Sequence, residues 1–201
     1  MVVRKLMPVT GNRGAIMPSW FDCYSFDIPN RSEDEEGLYK AVALINDIIT
    51  REERSGVPSH RIIVGGLSQG SAVSMLLGLT TQRPLAGVFI LSGYIPLRRK
   101  VKEIASPLAP SLPIFWGHGR VDQQIEYHFS VKAAETLAND LDIPFNGSLE
   151  RLTPEELSSQ STTPTPGLRF LTYPWLGHSV NDLEMRELAV WFSKYLPASG
   201  D

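Results

Sequence analysis

The chain has 201 residues, of which 42% are hydrophobic and 20% are charged, and its formal net charge is −3. This length predicts a single α/β domain over residues 1–201 with a core of its own, and it is short for two domains. Acidic and basic residues are interspersed, which excludes a basic surface for nucleic acid and a polybasic strip for an anionic membrane. We therefore expect a soluble partner or a small substrate rather than nucleic acid.

Cysteine content and hydropathy narrow the expected compartment. The single cysteine, Cys23, excludes an internal disulfide framework and a metal site built from cysteines alone. It fits a reducing compartment, so a cytoplasmic location is expected. No apolar run reaches the length of a transmembrane helix, and the first residues lack the apolar core of a signal peptide. Neither a transmembrane segment nor a signal peptide is expected.

The first part of the chain is expected to contain one regular element. Residues 1–32 have many turn-forming residues and little periodicity, which predicts an irregular, packed loop region. From Ser32, a start that resembles a capping box leads into an amphipathic pattern. This pattern predicts a helix that runs to about Arg54, with acidic residues in its first turn.

The chain is organised around residues 61–72, in which a β-branched apolar run leads through Gly66-x-Ser68-x-Gly70 into helix-forming residues. Strand, sharp turn and helix are the context of a nucleophile elbow, which holds a strained serine out at the carboxyl end of a sheet. The glycines two residues before and two residues after the serine are explained by sterics, because side chains at these positions would collide with each other and with the strand. The alternative, a glycine-rich turn with a chance serine, is disfavoured by the flanking strand and helix. The Gln69 backbone N–H, at the positive end of the helix, is the expected donor to an oxyanion.

Short apolar runs alternate with helical patterns after this segment, which predicts parallel strands buried on both faces. A segment rich in Ser, Thr, Pro and Glu, 146–167, predicts an exposed insertion. A surface loop is the favoured interpretation of this insertion, and a functional lid is the alternative. The other predicted elements are strands over 87–93, 112–117 and 168–173 and helices over 125–141 and 180–196.

A serine nucleophile needs a base within hydrogen-bond reach and a carboxylate that fixes the tautomer of that base. In α/β-hydrolases these residues follow successive strands in the order serine, acid, histidine. Asp122 follows the predicted strand 112–117, and His178 follows the strand 168–173. Because the carboxyl ends of parallel strands meet at one edge of a sheet, both side chains are expected beside Ser68.

Three other histidines and one other acid compete for these roles. His60 precedes a strand, His128 lies on a predicted helix, and His118 comes before the acid in chain order. Surface or structural roles are favoured for all three, and His118 is a candidate for packing beneath the acid loop. Asp182 opens the last helix and fits its first turn better than the triad. This chemistry requires no metal and no cofactor.

Four motifs stand in order along the chain: Met17-Pro18-Ser19-Trp20-Phe21-Asp22, Gly65-Gly66-Leu67-Ser68-Gln69-Gly70, Leu79-Thr80-Thr81-Gln82 with Leu85-Ala86-Gly87, and Leu91-Ser92-Gly93-Tyr94-Ile95-Pro96-Leu97. Together they resemble the acyl-protein thioesterase and lysophospholipase family, which is close to bacterial carboxylesterases. The resemblance covers nearly the whole chain apart from 146–167 and implies an α/β-hydrolase fold. It also implies that Ser68 is the nucleophile, Asp122 the acid and His178 the base. Implied substrates are S-acylated proteins and acyl esters such as lysophospholipids.

Two departures from the family pattern add expectations. Members carry an amino-terminal strand that ends in His-Gly-x-Gly-Asp and supplies a second oxyanion donor, and this chain starts after that point. An amino-terminally truncated fold is expected, with an unpaired edge at the strand before Ser68, and the loss of one donor costs about two to three orders of magnitude in rate. The alternative function is a truncated or impaired homologue that binds acyl groups or a partner without turnover. Arg120 and Gln123 also depart from the family in the loop of Asp122.

Overall fold

The computed structural model describes residues 5–28, 30–149 and 165–196. Its centre is a five-stranded sheet in which all paired strands run parallel, in the order β3-β4-β5-β7-β6. Among the described residues, β3 therefore lies at one edge of the sheet. The strands are β3 Ile63–Leu67, β4 Gly87–Leu91, β5 Pro113–Gly119, β6 Phe145–Leu149 and β7 Gly167–Tyr173.

Helices cover both faces of this sheet because successive strand residues point to opposite sides. On one face Val88, Ile90, Ile114 and Trp116 join the larger core cluster with residues of α1, α2 and α4. On the other, a smaller cluster packs Leu91, Phe115 and Leu171 against Leu188 and Trp191 of α5. No helix in the described part of the chain has the length and apolar character needed to cross a membrane. The helices are α1 Glu35–Arg54, α2 Gln69–Thr80, α3 Val101–Ile104, α4 Tyr127–Asp140 and α5 Asp182–Tyr195.

Helix α1 starts two residues later than the capping-box pattern predicts. Its N-cap is Asp34, whose Oδ1 accepts a 2.9 Å hydrogen bond from Gly37 N. The second oxygen, Oδ2, accepts a 2.8 Å bond from Asp22 N. A carboxylate at this position accepts a hydrogen bond from an otherwise unpaired helix N–H and interacts favourably with the positive end of the helix dipole. Asp34 therefore begins the helix in place of Ser32 and also ties the helix to the preceding segment.

The expectation of irregular structure over residues 1–32 is wrong for part of that segment. β1 Lys5–Val9 and β2 Ala15–Ser19 form an antiparallel hairpin that is separate from the main sheet. Its turn places Arg13 and Gly14 at φ values of 54° and 74°. The two strands are hard to recognise in the sequence because each contains a proline and the apolar side chains of Leu6 and Ile16 are more than 70% exposed. Proline is tolerated in such edge strands, where no inner ladder is broken.

The expected insertion over 146–167 also begins differently. β6 Phe145–Leu149 pairs in parallel with β7, with an irregular register between Phe145 and Ser148. The first residues of the expected insertion, 146–149, therefore belong to an edge strand of the main sheet. The sequence Phe-Asn-Gly-Ser-Leu contains glycine and asparagine, which are depleted in strands, so the sequence does not predict a strand here. The remainder of the expected insertion, 150–164, lies outside the described residues.

Candidate active site

Ser68 occupies the sharp turn between β3 and α2. Its φ of 56° and ψ of −116° lie outside the regions that L-residues ordinarily adopt. Its N–H donates a 3.0 Å hydrogen bond to Leu91 O of the neighbouring strand. Strain of this kind persists only where the surroundings hold it, and here α2 packs against both β3 and β4. The predicted strand, strained turn and helix are confirmed.

The two glycines that flank Ser68 have different surroundings. A Cβ on Gly66 would lie 2.8 Å from the backbone carbon of Gly70, closer than real Cβ atoms approach backbone. A Cβ on Gly70 would meet nothing nearer than Trp20 Nε1 at 3.7 Å, an ordinary contact. The expectation that both positions require glycine is therefore wrong for Gly70. The collision that glycine avoids is between a side chain at 66 and the backbone at 70.

Gly66→Ala is expected to destabilise the protein by about 1–3 kcal/mol, the usual cost of overpacking, and to lower activity because the turn that carries Ser68 must shift. Gly70→Ala is the matched control. It lies in the first turn of α2, where alanine is the better helix former, so its stability should be unchanged or raised. Thermal unfolding and ester turnover of the two variants measure the difference. Equal losses in both variants would contradict the asymmetry.

Loops at the carboxyl ends of β3, β5 and β7 bring Ser68, Asp122 and His178 together. His178 Nε2 lies 2.9 Å from Ser68 Oγ, and His178 Nδ1 lies 2.9 Å from Asp122 Oδ2. The other carboxylate oxygen, Oδ1, accepts backbone hydrogen bonds of 2.8 Å from Gln124 N and 2.9 Å from Ile125 N. With Nδ1–H donated to a buried carboxylate, Nε2 is free to accept the hydroxyl proton of Ser68.

Three of the four competing residues lie elsewhere, whereas His118 is buried beside the loop of Asp122. His60 is exposed in the 3₁₀ turn Ser59–Arg61, and His128 is exposed on α4. Asp182 is the exposed first residue of α5, so Asp122 is the acid that contacts His178. Within the described ranges, no group of three or more His, Cys, Asp or Glu side chains is placed to hold a metal ion.

Residues 4–162 match the sequence profile of the phospholipase/carboxylesterase family. The chain belongs to this family. Acyl-protein thioesterase 1 of Cryptococcus neoformans var. neoformans is 37% identical over 192 residues, which span 94% of this chain and 76% of that protein. Acyl-protein thioesterase 1 of Mycosarcoma maydis is 36% identical over 201 residues, or 96% of this chain and 75% of that protein.

A solved structure matches the fold as well. The crystal structure of Arabidopsis thaliana SOBER1 superposes with a TM-score of 0.79 and 26% sequence identity, covering 96% of this chain and 81% of that one. The family and the α/β-hydrolase fold that the four motifs predict are therefore confirmed.

The side chain of Gln69, in this phospholipase/carboxylesterase family member, makes contacts that the sequence did not reveal. Its Oε1 accepts hydrogen bonds from Ser19 Oγ at 2.9 Å and Trp20 N at 3.1 Å. Its Nε2 donates to Phe21 O at 3.1 Å. The Gln69 side chain thus joins the segment after β2 to the start of α2. Gln69 is also the first residue of α2, so its backbone N–H has no acceptor within the helix.

A buried pair of acids lies in the first turns of α5, after the loop of His178. Glu184 and Glu187 are both fully buried. Glu187 Oε2 accepts a 2.6 Å hydrogen bond from Tyr173 Oη, whereas the carboxylate oxygens of Glu184 have no hydrogen-bond partner among the described residues. Burial raises the pKa of Glu184 to about 7. The pattern of the helix alone gave no sign that these two acids are buried.

Glu184→Gln is expected to change how stability depends on pH. The pKa of Glu184 rises from 4.5 when exposed to about 7 when buried, so the folded state holds a proton that the unfolded state releases. This contribution is fully present below about pH 4.5 and is lost as the pH rises through 7. Above pH 7 the variant should be more stable than wild type by about 3 kcal/mol. Denaturant unfolding across this range measures it, with the exposed Asp182→Asn as control; parallel curves for wild type and Glu184→Gln would contradict the expectation.

Proposed function

We propose that Ser68, His178 and Asp122 are the catalytic triad of a carboxylic ester and thioester hydrolase of the acyl-protein thioesterase type. The single observation that carries the proposal is the 2.9 Å separation of Ser68 Oγ and His178 Nε2 at a strained turn. A strained backbone of this kind costs free energy and is concentrated at functional sites, so it is not expected at an ordinary surface serine. A histidine that also contacts a buried carboxylate is the arrangement that activates a hydroxyl group.

The reaction follows from these positions. His178 Nε2 accepts the Ser68 proton while Oγ attacks the carbonyl carbon of the substrate. The oxyanion that forms is stabilised by the Gln69 backbone N–H at the amino end of α2. His178 then gives its proton to the leaving thiolate or alkoxide, and the acyl group remains on Ser68. Water, deprotonated by the same histidine, then attacks the acyl carbon. The bond to Ser68 Oγ breaks, His178 returns the proton to Oγ, and the carboxylic acid leaves. Asp122 holds Nδ1–H and stabilises the imidazolium in both halves.

S-acylated proteins are the substrates proposed for this chain, with small acyl esters and lysophospholipids also accepted. The support comes from relatives that are themselves acyl-protein thioesterases and are 36–37% identical over most of the chain. A cytoplasmic location belongs to the same proposal. Its support is the single cysteine, Cys23, because proteins of oxidising compartments more often carry paired cysteines.

The test measures release of thiol from an S-palmitoylated peptide and of alcohol from the matched oxygen ester. Labelling with a fluorophosphonate probe, with the labelled residue located by mass spectrometry, gives the concentration of active sites. Turnover of the thioester with the label on Ser68 is the expected result. Labelling of Ser68 without turnover of either substrate would favour an acyl-binding homologue instead, and a label on any other serine would overturn the triad.

A further inference from the structure

His118 is a buried histidine that the proposed reaction does not use. It is the penultimate residue of β5 and is fully buried. Its ring stacks on Phe170, with ring centres 6.2 Å apart and planes inclined by 24°. Its Nε2 lies 2.9 Å from Ile125 O and 3.5 Å from Asp122 Oδ2. Phe170 thus fixes the ring plane while one nitrogen faces the loop that carries the triad acid.

The environment of the ring determines which nitrogen carries the proton. Burial is the main cause that lowers the pKa of His118, so the imidazole is neutral and has one N–H. A carbonyl oxygen can only accept a hydrogen bond, so the proton must lie on Nε2, which faces Ile125 O. Nδ1 is then an unprotonated nitrogen, and it has no hydrogen-bond partner among the described residues.

The peptide unit of Ile125 links His118 to Asp122. Ile125 N donates a 2.9 Å hydrogen bond to Asp122 Oδ1, and Ile125 O accepts the bond from His118. Asp122 Oδ2 is then directed to His178 Nδ1 at 2.9 Å. The carboxylate is therefore oriented by a residue that is itself held to β5 through the His118 ring.

We propose that His118 is a positioning residue for the hydrolysis reaction: by donating Nε2–H to Ile125 O, it holds the acid loop so that the Asp122 carboxylate stays aligned with His178. The inference rests on the proposed function because it needs Asp122 to act as the triad acid. His118 itself is buried beneath the loop and does not contact the reacting atoms.

Neutrality of His118 is part of this role. The ionisable groups around its ring are Asp122 on the acid loop, His178 beyond it and Tyr127 on α4. An imidazolium 3.5 Å from Asp122 Oδ2 would compete with His178 for the same carboxylate charge. The stacked Phe170 ring and the surrounding core prevent this by excluding water from His118.

The test compares His118→Leu, which removes the donor, with His118→Gln, whose amide nitrogen can donate from about the place of Nε2. Titration with a fluorophosphonate probe gives the concentration of active sites. Turnover is divided by this concentration, so that a loss of folded protein does not lower the value. We expect His118→Leu to lower kcat by about 100-fold, the scale expected for a misplaced catalytic group, with little change in KM. The kcat of His118→Gln should be at least tenfold higher than that of His118→Leu.

The split between kcat and KM separates positioning from a purely structural role. With Asp122 misaligned, His178 is held less well toward Ser68, so kcat per labelled site should fall while KM stays near the wild-type value. A lower melting temperature with wild-type kcat per labelled site would overturn the inference. So would a His118→Gln enzyme as slow as His118→Leu.

Wild-type protein supplies a readout that needs no variant to fold. Nitrogen-15 NMR of the histidine rings should show His118 protonated at Nε2 alone throughout the pH range in which the enzyme is active. A proton on Nδ1, or a charged His118 in active enzyme, would overturn the inference. Asp122→Asn distinguishes this failure from failure of the proposed function: if that variant keeps full activity the triad is wrong, whereas if it alone is impaired the His118 role is wrong.

Discussion

Ser68→Ala is expected to lower kcat for ester and thioester hydrolysis by about 10⁶-fold, since loss of the proposed nucleophile would remove the covalent route that the whole proposed triad serves. The fold should persist, because the turn is held by β3 and α2 and by the Ser68 N–H bond to Leu91 O, none of which needs the hydroxyl. Turnover of a p-nitrophenyl ester and of a thioester measures the loss, alongside thermal unfolding.

Ser193→Ala is the matched control for this variant. Ser193 lies on the exposed side of α5, where its hydroxyl donates a hydrogen bond to Ala189 O of the preceding helical turn, so turnover and probe labelling should equal those of wild type. A Ser68→Ala protein that retains more than about one-hundredth of the activity, or that still takes the probe, would place the nucleophile elsewhere.

Asp122→Asn is expected to lower kcat by about 10⁴-fold while leaving the fold in place. The amide can present its NH₂ group to His178 Nδ1, which favours the tautomer with the proton on Nε2, and that nitrogen then cannot accept the Ser68 proton. The oxygen that receives Gln124 N and Ile125 N can be kept by the amide, so stability should change little. Ester turnover per folded protein measures the effect.

Asp182→Asn is the control that the sequence itself suggests, because Asp182 was the rival acid. It is exposed at the start of α5 and near the helix amino end, so its loss should cost only a few tenths of a kcal/mol of stability and no activity. Comparable losses of activity in the two variants would mean that the assignment of Asp122 as the acid is wrong.

Much of this site could be predicted because it depends on local signals. Buried parallel strands are continuous apolar runs, so β4, β5 and β7 were predicted within two residues of their observed bounds. The order of Ser68, Asp122 and His178 after successive strands implied that they converge, since parallel strands align their carboxyl ends. Residue type and spacing were therefore sufficient to predict which three side chains meet.

Exposed elements were predicted poorly for a physical reason. β1 and β2 are exposed on most of their residues, so no alternation of apolar and polar positions marks them. β6 is an edge strand with a register irregularity. Such strands exist because of the strand that they pair with, and pairing partners are not encoded in the local pattern.

The sequence by itself determined the strained serine turn, the order of the three residues of the proposed triad, and the family. Only the tertiary structure decided how the remaining polar groups are used. Gln69 meets Ser19 across 50 positions of the chain, Glu184 is buried without a partner among the described residues, and His118 reaches Ile125 O at the far end of the acid loop. In each case tertiary packing sets how far the side chain is buried, and for Gln69 and His118 it also selects the acceptor or donor, because a polar side chain has no fixed preference for one partner until packing removes water from it.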